Sequence, residues 1–346
     1  MPHSRRLQKV GSGTLTVSLP HEWVRRLGLK PGDVVTLTET PDGGLHLSPE
    51  MKPTSQQYYC TLDLEKFRDK ELLSRLIIAA YLQGFEGIKI IGGDGIPADV
   101  QSAIMATIDL LPGMEIVEQT YRRVIMQSFV DPQKFPVETL LKRIQVMITT
   151  MMNHLNETLT KERYELINEI STIENKIDGL YFLCIRQIFA KVKSGLLGEA
   201  APEAYLHAIG DRLVVRALEE IADSIHMSAM EANVLRGYKL SKEVKEELGR
   251  LHETVQVLFG KTMKSFFSLD SWLANEVIDT TRKAFGEHFT YAEDIIGKAS
   301  NPRVAAIVRS IIWNAVSVTR NCKIIAEVTV NRFVRIPSRL ITIESV

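Results

Sequence analysis

Glu174-Asn175-Lys176-Ile177-Asp178-Gly179-Leu180-Tyr181-Phe182-Leu183-Cys184-Ile185-Arg186, read together with Ala217-Leu218-Glu219-Glu220-Ile221-Ala222-Asp223, decides how the second half of this chain folds. In each stretch an acid recurs after four residues. Glu174 with Asp178, and Glu219 with Asp223, therefore share a helix face one turn apart. From Asp131-Pro132 onward no strand signal interrupts the helical pattern. Pro136, residues 195–202, Gly237, residues 269–271 and Asn301-Pro302 divide it into about six helices, four of them beyond about twenty residues, as in bundles. Shifted by about a hundred residues, 174–178 aligns with Asn275-Glu276-Val277-Ile278-Asp279, and 218–223 with the region of Val316-Ser317-Val318-Thr319-Arg320. Two three-helix units in tandem are expected.

The chain has 346 residues, too many for one ordinary domain. Apolar residues make up 45% and charged residues 24%, which suits a globular protein with a sizeable core. Net formal charge is zero, but its distribution is polarised. Residues 1–30 carry Arg5, Arg6, Lys9, Arg25, Arg26 and Lys30 against Glu22, a net +5, whereas 31–50 carry a net −4. A local basic patch follows. Cys60, Cys184 and Cys322 lie far apart and form no disulfide framework. The longest apolar run, near 76–82, is far short of the ~20 residues needed to cross a bilayer, and no apolar stretch follows the basic N-terminus. A cytoplasmic protein without membrane insertion is expected.

The front segment, 1–53, reads as β-rich. Thr14-Leu15-Thr16-Val17-Ser18-Leu19 alternates as a half-buried strand does. Pro20 opens a short helix from His21 to Leu27, and Gly28 stops it. Residues 34–40 and 45–47 read as strands joined by Pro41-Asp42-Gly43-Gly44. A segment this small buries too little surface alone, so a partner copy is expected. Residues 54–131 read as β-α-β-α-β-β, with strands at 57–62, 87–91, 114–119 and 122–129 and helices at 69–83 and 97–111, suggesting a ferredoxin-like sandwich. The helical body divides into repeats at 132–238 and 239–337.

The helical segments resemble the PhoU family over roughly 135–335. That resemblance implies tandem three-helix bundles whose E/D-x-x-x-D pairs hold a metal cluster. Carried over residue by residue, Glu174, Asp178, Glu219 and Asp223 become the candidate ligands of a single cluster in the first repeat. An acid-rich set suits Fe, Mn, Mg or Ca, with Zn also considered. The second repeat departs from the pattern: Asn275, Ser317 and Arg320 replace three of the acids, so no second cluster is expected there.

Val10-Gly11-Ser12-Gly13-Thr14-Leu15-Thr16-Val17-Ser18-Leu19-Pro20 and Trp23-Val24-Arg25-Arg26-Leu27-Gly28-Leu29-Lys30-Pro31-Gly32-Asp33-Val34-Val35 resemble the SpoVT-AbrB swapped-hairpin family over about 4–49. The resemblance implies that two chains interleave hairpins into one β-barrel and present basic loops to DNA. Arg5, Arg6, Lys9, Arg25 and Arg26 are the candidate contacts, since Arg offers a fork for phosphate and guanine edges. Together the two resemblances imply a homodimeric regulator of phosphate uptake, with DNA and a phosphate transporter or its regulatory machinery as partners.

Ile91-Gly92-Gly93-Asp94-Gly95-Ile96-Pro97 reads chiefly as a tight turn, with an anion cradle as the alternative. His154, His207, His226 and His288 sit singly on helices and read as half-buried or surface histidines, with an outer-shell role for His226, three residues past Asp223, as the alternative. No nucleophile–base pattern appears, and no enzyme activity is expected.

Overall fold

The structure is a computed structural model that describes residues 4–11, 13–39, 44–49, 58–67, 69–131, 134–193, 201–238, 240–298, 301–335 and 340–342. Most of the expected 41–44 turn and 195–202 break lies outside these residues, as does the side chain of His288. The chain divides into two compact units, one within Met1–Gln56 and the other from Gln57 onward.

In the first unit β1 (Gln8–Val10) pairs antiparallel with β2 (Thr14–Thr16), turning at Gly11 with φ 69°. The alternating stretch 14–19 thus yields a strand that stops at Thr16. Helix α1 (His21–Arg26) starts after Pro20, and Gly28, at φ 65°, turns the chain away. Strands β3 (Val35–Glu39) and β4 (Leu45–Pro49) pair antiparallel, Leu37 opposite Leu47. Among the described residues the hairpins are two separate two-stranded sheets, with no closed barrel within one chain; the sequence expects the barrel only from two interleaved chains. Leu7, Val10, Leu15, Val17, Leu37 and Leu45 all remain exposed. Among the described residues of this unit no further layer covers them.

The second unit opens with β5 (Tyr59–Asp63), α2 (Lys70–Leu82), β6 (Gly87–Ile91), α3 (Ala98–Asp109), β7 (Met114–Gln119) and β8 (Arg123–Ser128). Asp69 caps α2, its Oδ1 accepting from the N–H groups of Glu71 and Leu72 at 2.8 and 3.2 Å. The sheet order is β5-β6-β8-β7, with β5 parallel to β6 and the other neighbours antiparallel. This corrects the ferredoxin-like expectation. A β-α-β unit sets two parallel strands side by side and the β7–β8 hairpin then extends the sheet, whereas the ferredoxin-like chain runs β-α-β-β-α-β. Leu73, Ile77, Ile104 and Ile108 of the helices pack with Ile88, Ile90, Val124 and Met126 of the strands.

Six long helices follow: α4 (Val137–Lys161), α5 (Leu166–Lys193), α6 (Ala201–Leu235), α7 (Lys242–Ser268), α8 (Ser271–Gly297) and α9 (Pro302–Phe333). The two sets of three share one core, running from Ile148, Met151 and Leu155 through Ile177, Cys184, Leu218 and Ile221 to Phe259, Met263, Val308 and Ile325. Helix α6 packs along α9, which joins the repeats. The break between α4 and α5 contains neither Gly nor Pro; Glu162 takes the left-handed conformation at φ 58°. Lys245 holds its carboxylate at 2.6 Å, and Arg163 bridges Glu157 and Glu165 at 2.6 and 2.9 Å.

Arg186 fastens α5 to the sheet layer. Its Nη1 donates to the Tyr81 carbonyl at 2.5 Å, its guanidinium lies 4.8 Å from the Tyr81 ring centre, and Tyr81 Oη donates to the Pro112 carbonyl at 2.9 Å. Arg186→Ala removes a buried cation–π contact and a charged hydrogen bond, and is expected to lower unfolding free energy by about 2–4 kcal/mol. Urea denaturation measures this. Arg186→Lys should recover only part of the loss, because an ammonium lacks the planar fork; an unchanged urea midpoint in the Ala variant would contradict the assignment.

Candidate functional site

Helices α5 and α6 carry the acids. On α5, Ile170, Ile177, Leu180 and Cys184 are buried, which leaves Glu174 and Asp178 on the half-buried flank. Gly179, one residue on, lets α5 come close to the sheet layer: a Cβ there would lie 3.4 Å from the Leu110 carbonyl oxygen. On α6, Ala217, Leu218, Ile221 and Ala222 face inward and Glu219, Glu220 and Asp223 stay half-buried.

Three of the four expected ligands converge. Carboxylate oxygens of Glu174, Asp178 and Asp223 all lie within 4.8 Å of one another. Glu219 is drawn aside: Arg216, one turn earlier on α6, pairs with it at 2.8 Å and also with Glu220. His226 joins the site from the same helix. Its Nδ1 lies 3.4 Å from Glu174 Oε1 and its Nε2 3.0 Å from Ser171 Oγ. A histidine braced between a hydroxyl and a carboxylate orients that carboxylate from outside, the geometry of an outer-shell partner. Spacing reveals neither Arg216 nor Ser171, because each acts through a side chain that spacing alone does not direct.

Electrostatics mark the cluster as under-compensated. Burial, then Glu174 and Asp223, push the Asp178 carboxyl up to about 7, with Arg216 opposing. Glu219 rises to about 7 through burial and Asp223, and Asp223 rises through burial and Glu174. An all-oxygen set of this size fits one hard cation, whose ligand oxygens lie ~3–4 Å apart around a centre at ~2.1 Å. In the second repeat the three departing side chains have other partners. Asn275 donates to Asp279 at 3.1 Å, Ser317 bonds Ser224 at 3.0 Å, and Arg320 lies over Trp313 at 5.7 Å. Among the described residues no other group of three metal-ligating side chains forms.

The basic residues lie where the motif puts them in the chain: Arg5 and Arg6 precede β1, Lys9 is on β1, and Arg25 and Arg26 end α1. All five are exposed, and among the described residues none makes an ion pair. In the glycine-rich loop three of the backbone donors are engaged within the sheet layer. Gly92 N–H donates to the Arg122 carbonyl at 2.9 Å, Gly95 to Gly92 at 3.3 Å, and Ile96 to Tyr121 at 2.9 Å. It is a turn, with Gly95 at φ 115°.

Residues 141–231 match the family model described as the PhoU domain, a span that contains all four acids. Residues 8–55 match the model described as antidote-toxin recognition MazE, bacterial antitoxin, whose fold is of the AbrB kind. This is a PhoU-like protein with an AbrB-type N-terminal domain. Among solved structures it is similar to PhoU from Pseudomonas aeruginosa, with 18% identity over 57% of this chain and 91% of that one, at a TM-score of 0.47. No curated relative matches. Among the described residues no helix is long and apolar enough to cross a membrane.

The raised carboxyl pKa values set the sign of a pH effect. A group whose folded pKa exceeds its unfolded one contributes stability that is full below about pH 4 and is lost as pH rises through about 7. The metal-free protein should therefore lose stability between pH 4 and 7. A divalent cation at a hundred times its Kd should restore about 2.7 kcal/mol at pH 8 and much less at pH 5, read as Tm. Asp178→Asn should raise metal-free stability at pH 8 while abolishing the metal response; a fall in metal-free Tm would contradict this.

Proposed function

We propose that the chain is a phosphate-responsive regulator of phosphate uptake, which binds DNA through its N-terminal domain and signals to partners through its PhoU-like body. The observation that carries the reading is one chain joining a PhoU domain at 141–231 to an AbrB-type domain at 8–55 whose five basic side chains are exposed and without ion pairs among the described residues. The protein works as a homodimer in the cytoplasm. Two copies interlace their hairpins, so that the apolar side chains each leaves exposed become the interior of a shared barrel. Arginines from both copies then face the duplex, where phosphate contacts supply affinity and base edges supply specificity.

The body acts as a receiver and not as an enzyme. A single cation held by Glu174, Asp178 and Asp223, with Glu219 beside them and His226 bracing Glu174, ties α5 to α6. The all-oxygen donors favour Mg, Mn or Fe over Zn. The PhoU-like surface engages a phosphate transporter or its regulatory machinery. A second reading keeps that partner but gives the N-terminal domain dimerisation alone; the exposed arginines favour DNA.

Gel retardation separates the two. If the dimer neutralises about eight phosphates, log K should fall against log salt with a slope near −7. Replacing Arg5, Arg6, Arg25 and Arg26 by Ala should flatten that slope and abolish regulation in cells. Regulation that persists in this variant, with no retardation of the parent at about 50 mM salt, would support the dimerisation-only reading instead.

A further inference from the structure

At one end of the bundle the start of α4, the early turns of α6 and the last turns of α5, α7 and α9 surround a cavity of about 830 Å³. That volume lies within the ~300–1,000 Å³ of small-molecule sites. Its walls are chiefly apolar. Leu141, Ile188, Phe266, Phe267 and Leu269 line it, the two rings meeting edge to face at 5.3 Å. The cavity lies away from the acid cluster: on α5, Gln187 follows Asp178 by nine residues, about 13 Å along the helix.

Gln187 is the polar side chain in this wall that the protein leaves unmet. It is 4% exposed, and among the described residues neither its Nε2 nor its Oε1 has a hydrogen-bond partner. Buried amides are ordinarily met by protein or water, so two unmet atoms on one residue call for an occupant. Packing alone does not account for them, since an apolar side chain of that shape would fill the space without the cost. The cavity that Gln187 borders is the adjoining space from which a partner reaches both atoms once the side chain turns. Charges in the wall disfavour an anion: Asp131, Glu138 and Asp211 outnumber Lys191 and Arg332, three to two. Arg332 is already committed. It pairs with Asp211 at 2.8 Å, donates to the His207 carbonyl at 3.2 Å and lies 4.8 Å from the Phe266 ring centre.

A primary amide offers donor and acceptor side by side, and the edge of adenine offers the complementary pair, its 6-amino group and N7. Flat rings of that kind bury their faces against aromatic and apolar side chains. We propose that this cavity binds an uncharged adenine, as free base or nucleoside, its edge on Gln187 and its ring against Phe266, Phe267 and Ile188. The site depends neither on the acid cluster nor on DNA binding, so it goes beyond the proposed function and is tested apart from it.

Isothermal titration calorimetry of the full chain with adenine, adenosine, AMP and inorganic phosphate tests this. Adenine or adenosine should bind, and the tighter of the two identifies the form taken. Removing the 6-amino group, as in purine or its riboside, should weaken binding at least about tenfold, because the Gln187 acceptor is again unmet. Gln187→Met, close in size but without the amide, should weaken binding by a similar factor while circular dichroism keeps its helix signal. If that variant melts, the 6-amino comparison on the unaltered protein decides. No heat from adenine or adenosine, binding indifferent to the 6-amino group or to a folded Gln187→Met, or tighter binding of AMP or phosphate would overturn the site.

Discussion

Leu7, Val10, Leu15, Val17, Leu37 and Leu45 sit on or beside short strands and stay exposed among the described residues. An isolated two-stranded hairpin is marginal in water at best. Burial of apolar surface, at about 25 cal/mol per Å², is what turns such a segment into a domain, and the described hairpins leave theirs exposed. The rest of the account follows from this constraint. On the proposed reading a second molecule supplies the missing layer, and the two sets of arginines then share one dimer.

The body has the opposite character. One continuous core runs through both repeats, so their positions are fixed by packing and not by linkers. Against that rigid background the crowded acids between α5 and α6 are the under-compensated feature. Burial and mutual repulsion hold Asp178 and Glu219 near neutrality, and a cation reverses both effects at once.

Much of this was legible in the sequence. Strands 87–91 and 114–119 and the helix read at 69–83 follow from apolar patterning. Spacing of four found the two acid pairs, because helix geometry alone places such residues on one face. Which of them point at a common centre was not legible. Glu219 leaves the group since Arg216 claims it, and His226 enters since Ser171 reaches across from α5. Strand β1 escaped notice because Gln8-Lys9-Val10 carries no pattern of its own; pairing with Thr14–Thr16 makes it a strand. The α4–α5 break escaped because no Gly or Pro marks it. Sheet order is a non-local outcome, so the ferredoxin-like expectation had the right elements in the wrong arrangement.

The central claim is that phosphate status, sensed through the body, changes where the front of the molecule sits on DNA. Chromatin immunoprecipitation of the full chain from phosphate-replete and phosphate-starved cells measures this directly. The account predicts enrichment at promoters of phosphate-uptake genes, shifting several-fold between the two conditions. Enrichment nowhere, or occupancy identical in both, would contradict it.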